Sequence, residues 1–311
     1  MDIRNIGRSG LRVSLIGLGC NNFGGRTGIN DAKYVIHAAL DAGITLFDTA
    51  DIYGNRGGSE LALGQWLGPR RKDIVLASKF GMAMDETGEK IGGSRRYILQ
   101  AVEDSLRRLN TDWIDLYQLH RPDPRTPIDE TLRALDDLIR AGKIRYIGCS
   151  NLPAWQVVDA AATAQMAWLT SFICAQDEYS LLFRHPEAEL IPALQAKGMG
   201  LLPFYPLAGG MLTGKYQRHA APPSGTRFAD AKLAARYLHD ANWPKVEKLQ
   251  AFAAAHGKTL LELAISWLAA QNIVPSIIAG ATRPEQIAQN IAAASWKLTA
   301  EDLVQIDAIT A

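Results

Sequence analysis

The chain has 311 residues, 48% of them hydrophobic, and a formal net charge of +1. That length suits two ordinary domains or one large α/β barrel, and the near-zero charge argues against a nucleic-acid or acidic-surface partner. Cys20, Cys149 and Cys174 are widely spaced and form no CxxC pair, which points to a reducing cytoplasmic location and away from a disulfide framework or a zinc site.

Met1-Asp2-Ile3-Arg4-Asn5 lacks the apolar core of a signal peptide. The longest apolar stretch, Leu260 to Gly280, is interrupted by Glu262 and Pro275, whereas a membrane span needs roughly 20 apolar residues in a row. The expectation is a soluble protein without a membrane partner. Residues 2–13 read as a small hairpin turning at Ser9-Gly10. Short apolar runs then alternate with amphipathic segments to the end of the chain. The runs lie near 14–18, 45–48, 74–78, 114–119, 144–149, 172–175, 200–203 and 274–279. The segments lie near 31–42, 58–67, 94–109, 127–141, 153–165, 187–197, 259–271 and 284–294. Ile98, Val102, Leu106 and Leu109 show the helical period. Asn30-Asp31, Ser94 and Thr126-Pro127 supply caps or first-turn residues.

Eight strand-helix units without an interdomain linker call for α/β architecture of the (β/α)8 TIM-barrel type, a single domain over 1–311. Its N-terminal β-hairpin plugs the bottom, and two extra helices, at 243–256 and 299–309, stand outside the alternation. Gly17-Leu18-Gly19-Cys20-Asn21-Asn22 begins like the dinucleotide fingerprint GxGxxG. Its third position is Asn22 and the next helical pattern starts only near Asp31, so a doubly wound dinucleotide domain is not expected.

Active sites of such barrels sit at the carboxyl ends of the strands. The run ending Leu46-Phe47 delivers Asp48, with Tyr53 following on a loop closed by Gly54. The next run delivers Lys79, and the one after it His120. A free tyrosine titrates near about 10, and an adjacent ammonium lowers that value. Asp48 would hold Lys79 charged, Tyr53 would exchange a proton, and His120 would orient a carbonyl oxygen. Carbonyl reduction, with hydride from elsewhere, fits this set. No metal is called for, since the six histidines show no ligand spacing.

The same residues carry a resemblance. Phe47 to Gly54, Ala77 to Gly81, Asp112 to His120, Gly142 to Asn151 and Pro206 to Lys215 are similar to the aldo-keto reductase superfamily, in particular its bacterial and potassium-channel-β-like branch. The resemblance implies Asp48, Tyr53, Lys79 and His120 as the catalytic tetrad, with Tyr53 as general acid. It implies NADPH/NADP+ as cofactor, bound without a Rossmann fold. Ser150, Asn151 and Gln176 would hold the carboxamide, Phe204 would stack on the nicotinamide, and Cys20, Asn21 and Asp48 would lie nearby. Leu207, Gly209 and Lys215 match the pyrophosphate loop. Tyr205 stands where a smaller polar residue is common, which leaves its contact open. Gly280, Thr282, Arg283, Gln286, Gln289 and Asn290 match the adenosine segment. An arginine fork at Arg283, beside a helix start, favours NADPH over NADH.

The expected function is NADPH-dependent reduction of small aldehydes or ketones. The alternatives are a sugar or polyol dehydrogenase running in the oxidative direction, and a cofactor-sensing regulatory subunit. Substrate choice belongs to residues 22–26, 80–93, 121–125 and 216–243. Phe23, Phe80 and Met82 either line an apolar pocket or pack the rim. Arg121 either meets an anionic substrate or forms a surface salt bridge. Oligomeric state is not written in the sequence.

Overall fold

Side-chain alternation along eight short strands builds a tube around a small apolar floor. The computed structural model describes residues 1–223 and 225–311. The hairpin pairs β1 (Ile3–Asn5) antiparallel with β2 (Arg12–Ser14). The barrel strands are β3 (Ile16–Gly19), β4 (Leu46–Asp48), β5 (Val75–Phe80), β6 (Ile114–Leu119), β7 (Ile144–Ser150), β8 (Cys174–Glu178), β9 (Gly200–Phe204) and β10 (Ile277–Gly280). They run parallel, each beside its neighbour in sequence, and β10 pairs with β3. Between β9 and β10 the tube is drawn together by the bond from Leu201 N to Ile273 O, 2.9 Å. Pro275, which has no N–H to give to a ladder, packs against Gly200 at that seam.

The outer layer comprises α1 (Ile29–Asp41), α2 (Tyr53–Trp66), α3 (Arg95–Leu109), α4 (Ile128–Arg140), α5 (Ala154–Met166), α6 (Leu190–Lys197), α9 (Leu260–Ala270) and α10 (Glu285–Ala293). Outside the alternation stand α7 (Ala231–Tyr237), α8 (Trp243–Ala255) and α11 (Ala300–Thr310). The last two are the expected extra helices. The short α7 is an addition, arriving after two 3-10 turns in the long connection from β9. No helix among the described residues is long and apolar enough to cross a membrane.

Two apolar regions form the core. The larger lies between strands and helices. The smaller gathers Leu46, Val75, Ala77, Leu116, Cys174, Leu202 and Ile278 inside the barrel, with Ile6 and Val13 of the hairpin segment beneath them. The hairpin therefore plugs the lower end. Arg8 N donates to Gly198 O, and Gly7 leaves no room for a side chain because a Cβ there would meet Gly198 O at 2.6 Å. All three cysteines are buried and none is disulfide-bonded.

Candidate active site

The side-chain period of two that buries the floor also raises the polar groups above it. Leu46 faces inward, so Asp48 does too. Val75 and Ala77 lead to Lys79, Leu116 leads to Gln118 and then His120, and Cys174 leads to Gln176. Asp48 is the last residue of β4, at the end of the run expected over 45–48, whereas Lys79, expected just past its strand, lies within β5, where Phe80 still pairs with Leu119.

Lys79 is fully buried. Its Nζ donates to Asp48 Oδ2 at 2.7 Å and to Thr49 O at 2.9 Å. Asp48 Oδ1 accepts from Gln176 Nε2 at 2.8 Å and from Gln118 Nε2 at 3.4 Å. Burial by itself would lower the Lys79 pKa, but the Asp48 carboxylate and the Tyr53 hydroxyl outweigh it and the net shift is upward. Lys79 Nζ stands 5.0 Å from the Tyr53 ring centre, and the Tyr53 and His120 rings meet edge-on at 5.6 Å. The four residues converge.

The Tyr53 hydroxyl departs from the expectation of a lowered pKa. Burial raises it, and the Lys79 ammonium offsets only part of that rise. Tyr53 is therefore protonated at neutral pH, the form from which a proton can be given. Burial, with the Lys79 and Arg121 charges, pulls the His120 pKa down to about 2. A neutral imidazole results, and its Nδ1 is buried without a hydrogen-bond partner.

Tyr53 opens a turn of unusual backbone. Gly54, Asn55, Arg56 and Gly57 all have positive φ, 67°, 60°, 64° and 122°, so the regular part of α2 begins near 58 as the sequence pattern indicated. Gly54 is obligatory here, since a Cβ would lie 2.3 Å from Phe23 O. Asn55 and Arg56 hold a conformation costing about 1–2 kcal/mol per residue. Behind this turn Asp51 is buried, and neither carboxyl oxygen has a partner. Burial, and secondarily the Glu60 carboxylate, pushes its pKa well up. Glu60 itself accepts from Ser78 Oγ at 2.5 Å and Arg108 Nε at 2.7 Å.

Above the tetrad opens a cavity of about 870 Å³. Among its walls are all the residues the resemblance assigned to cofactor binding except Gln289 and Asn290. Gln289 is exposed and Asn290 buried, both on α10 one turn beyond Gln286. Ser150 Oγ donates to Gln176 O at 2.8 Å, and Asn151 Nδ2 to Ser150 Oγ at 2.9 Å and His120 O at 3.1 Å. The side-chain amides of Asn151 and Gln176 act only as donors in these bonds and in the one to Asp48, leaving Asn151 Oδ1 and Gln176 Oε1 as acceptors, a match for the N–H groups of a carboxamide. Gly209, at φ 67°, keeps Phe228 and Tyr237 close, each 3.0 Å from the position of a Cβ. At the start of α10, Gln286 Oε1 already accepts from Thr282 N at 2.8 Å and Arg283 N at 3.2 Å. An anion there would meet the Arg283 side chain rather than those amides, which are already engaged. Arg283 is exposed and has no acidic partner among the described residues.

Several residues escaped the sequence reading. Gln118 was findable from its two-residue offset to Leu116. Arg227 was not, because it lies in the variable stretch 216–243, where Ser224 is outside the described residues. Its Nη2 donates to Asn21 Oδ1 and Asn22 Oδ1, both at 3.2 Å, and its guanidinium lies 5.7 Å from the Tyr205 ring centre. Burial lowers its pKa, and it forms no salt bridge among the described residues. Tyr205, at φ 49°, lines the cavity and carries this cation. Phe23 and Phe80 are fully buried and leave Met82 alone of the three on the cavity wall.

A parallel eight-stranded barrel with a lysine-aspartate pair, a tyrosine and a histidine at the carboxyl ends of its strands defines a class of barrel oxidoreductase. The sequence pattern of the aldo/keto reductase family matches residues 15–311, and the chain belongs to that family. It is similar to a probable voltage-gated potassium channel subunit beta of Oryza sativa subsp. japonica, 39% identical over 99% of this chain and 96% of the relative. An uncharacterized oxidoreductase of Bacillus subtilis is 36% identical over 99% and 96%. An L-glyceraldehyde 3-phosphate reductase of Escherichia coli is 32% identical over 99% and 92%.

Proposed function

We propose that this chain is an NADPH-dependent carbonyl reductase acting on small aldehydes or ketones. The observation that carries the reading is the convergence of the buried Asp48–Lys79 pair, Tyr53 and His120 beneath one cavity. When bound, the reduced nicotinamide supplies hydride to the carbonyl carbon. Tyr53 gives its phenolic proton to the carbonyl oxygen as negative charge develops there, and Lys79, held charged by Asp48, stabilises the phenolate left behind. His120, neutral at working pH, orients the carbonyl oxygen. Ser150, Asn151 and Gln176 present the amide partners for the nicotinamide. Lys215, Arg227 and Arg283 supply charge for the pyrophosphate and the 2′-phosphate, which favours NADPH over NADH.

The test is oxidation of NADPH and of NADH with a panel of small aldehydes, dicarbonyls and aldoses, repeated with Tyr53→Phe. Loss of one proton donor should lower turnover about 10²- to 10⁴-fold, with little change in NADPH affinity. Substantial turnover by Tyr53→Phe would show that another group delivers the proton. The likeness to plant channel beta subunits supports a second reading, a cofactor-holding regulatory subunit. Such a subunit would bind NADPH tightly and consume it negligibly with every carbonyl.

A further inference from the structure

The cavity holds more positive charge than its own acids neutralise. Its cations are Arg26, Arg121, Lys215, Arg227, Arg236 and Arg283, and its acids are Asp48, Asp177 and Glu178. Asp48 is taken by Lys79. Glu178 is taken by Arg236, and it also accepts from the Tyr237 hydroxyl at 2.6 Å. Asp177 accepts from its neighbour's backbone, Glu178 N, at 3.2 Å, and burial raises its pKa to about 6. Lys215, Arg227 and Arg283 belong with the cofactor phosphates, on the reading above.

Two cations remain. Arg121 directly follows His120, is exposed, and has no carboxylate within 4.0 Å among the described residues, so the surface salt bridge anticipated as its alternative is not formed. Arg26 donates one N–H to Gly225 O at 3.0 Å and likewise has no acidic partner there. Their positions follow from strand order: Arg26 is in the loop after β3 and Arg121 in the loop after β6. Between these come the loops after β4 and β5, which carry Tyr53 and Met82. The loops that carry the two arginines thus flank the segment of the mouth under which a carbonyl would meet Tyr53 and His120; the Arg121 charge is felt by His120, and that of Arg26 by Arg227. A guanidinium offers a fork of donors matched to carboxylate and phosphate oxygens.

We propose that the carbonyl substrate carries an anionic group, carboxylate or phosphate, at the end remote from its reacting carbon, and that Arg121, with Arg26 on the other flank, holds that group. This deepens the reductase reading and rests on it. The experiment compares kcat/KM for matched pairs: butanal against succinic semialdehyde for carboxylate, and glyceraldehyde against glyceraldehyde 3-phosphate for phosphate. Each is run with the native chain, Arg121→Gln and Arg26→Gln. A charge-assisted bond of about 1.5–3 kcal/mol corresponds to a preference of about 10- to 150-fold for the anionic member. That ratio should shrink as salt rises. It should fall about tenfold or more in Arg121→Gln, chiefly through KM, and less in Arg26→Gln. The pair with the larger preference tells carboxylate from phosphate. Neutral carbonyls reduced as well as anionic ones would overturn the inference and leave the reductase intact. A ratio that survives Arg121→Gln, including one where both members fall together, would overturn it too. If no carbonyl in either set is reduced, the reductase reading fails first, and this inference with it.

Discussion

Replacing Asp48 by asparagine keeps the shape of the side chain and removes the charge that Lys79 Nζ meets at 2.7 Å. Lys79 is fully buried, and its ammonium would keep neutral acceptors such as the Thr49 carbonyl but lose its one compensating charge. Breaking a buried pair by deleting one member costs about 3–5 kcal/mol, because the remaining charge cannot return to water. Globular chains unfold with about 2.1 cal/mol/K per residue. For 311 residues that is ~0.65 kcal/mol per degree, so the midpoint should fall about 5–8 °C. The double variant Asp48→Asn/Lys79→Met removes both charges and should recover most of the lost stability, while remaining inactive on the proposed mechanism. Thermal and urea unfolding of the two single variants and the double variant form the cycle, with carbonyl turnover measured on each. A loss below about 1 kcal/mol for Asp48→Asn would refute the buried-charge argument, since that is the scale of an exposed pair. Strict additivity would refute it as well.

Three further outcomes are expected. Arg283→Ala should weaken NADPH about tenfold or more and NADH little, read by fluorescence titration; equal losses would remove the phosphate assignment. His120, with its pKa at about 2 in the fold and about 6.5 when unfolded, binds its proton more readily in the unfolded chain. Stability should therefore decline as pH falls from about 6.5, and His120→Gln should flatten that decline in urea titrations; an unchanged slope would contradict the burial argument. Asp51 has the opposite behaviour. Its folded pKa is raised, so the stability it contributes is present below the unfolded value of about 3.9 and is lost as pH rises through the folded value. Asp51→Asn should stabilise the chain by about 1–3 kcal/mol near neutrality, with the gain vanishing in acid; destabilisation at neutral pH would mean the ionised carboxylate is satisfied.

Much of the architecture was legible because period-two strands and period-3.6 helices leave distinct marks, and the four tetrad residues could be placed from strand ends alone. Deviations have local causes. The run near 172–175 extends as Cys174–Glu178 because Gln176 turns in to Asp48 and Glu178 is paired by Arg236, so a polar sequence is strand at the barrel rim. The last strand begins at Ile277 rather than near 274, since Pro275 cannot join the ladder. The segment after β9 was opaque. Tyr205, Ala208, Gly209, Gly210 and Gly214 all have positive φ, and such a backbone has no side-chain period to read. Its long course returns Arg227 to Asn21 and Asn22, some 200 positions away, and no local pattern encodes that contact.

The parity that placed the tetrad also explains why its charges sit where they do. The inward columns of β4, β5, β6 and β8 start with apolar residues over the hairpin plug and end in polar groups, so the Asp48–Lys79 pair lies at the boundary between a dry floor and the cavity. Burial there favours neutral tyrosine and neutral histidine, while the lysine keeps its proton because Asp48, and after it the Tyr53 hydroxyl, outweigh burial. Farther up, where solvent reaches, the cavity's cations are mostly without acidic partners among the described residues. A site with one compensated charge pair at depth and uncompensated positive charge at the mouth draws anions to the rim while holding a protonated donor below. The order of groups along four short strands sets the lower end of that gradient, and the loops beyond them supply the upper end.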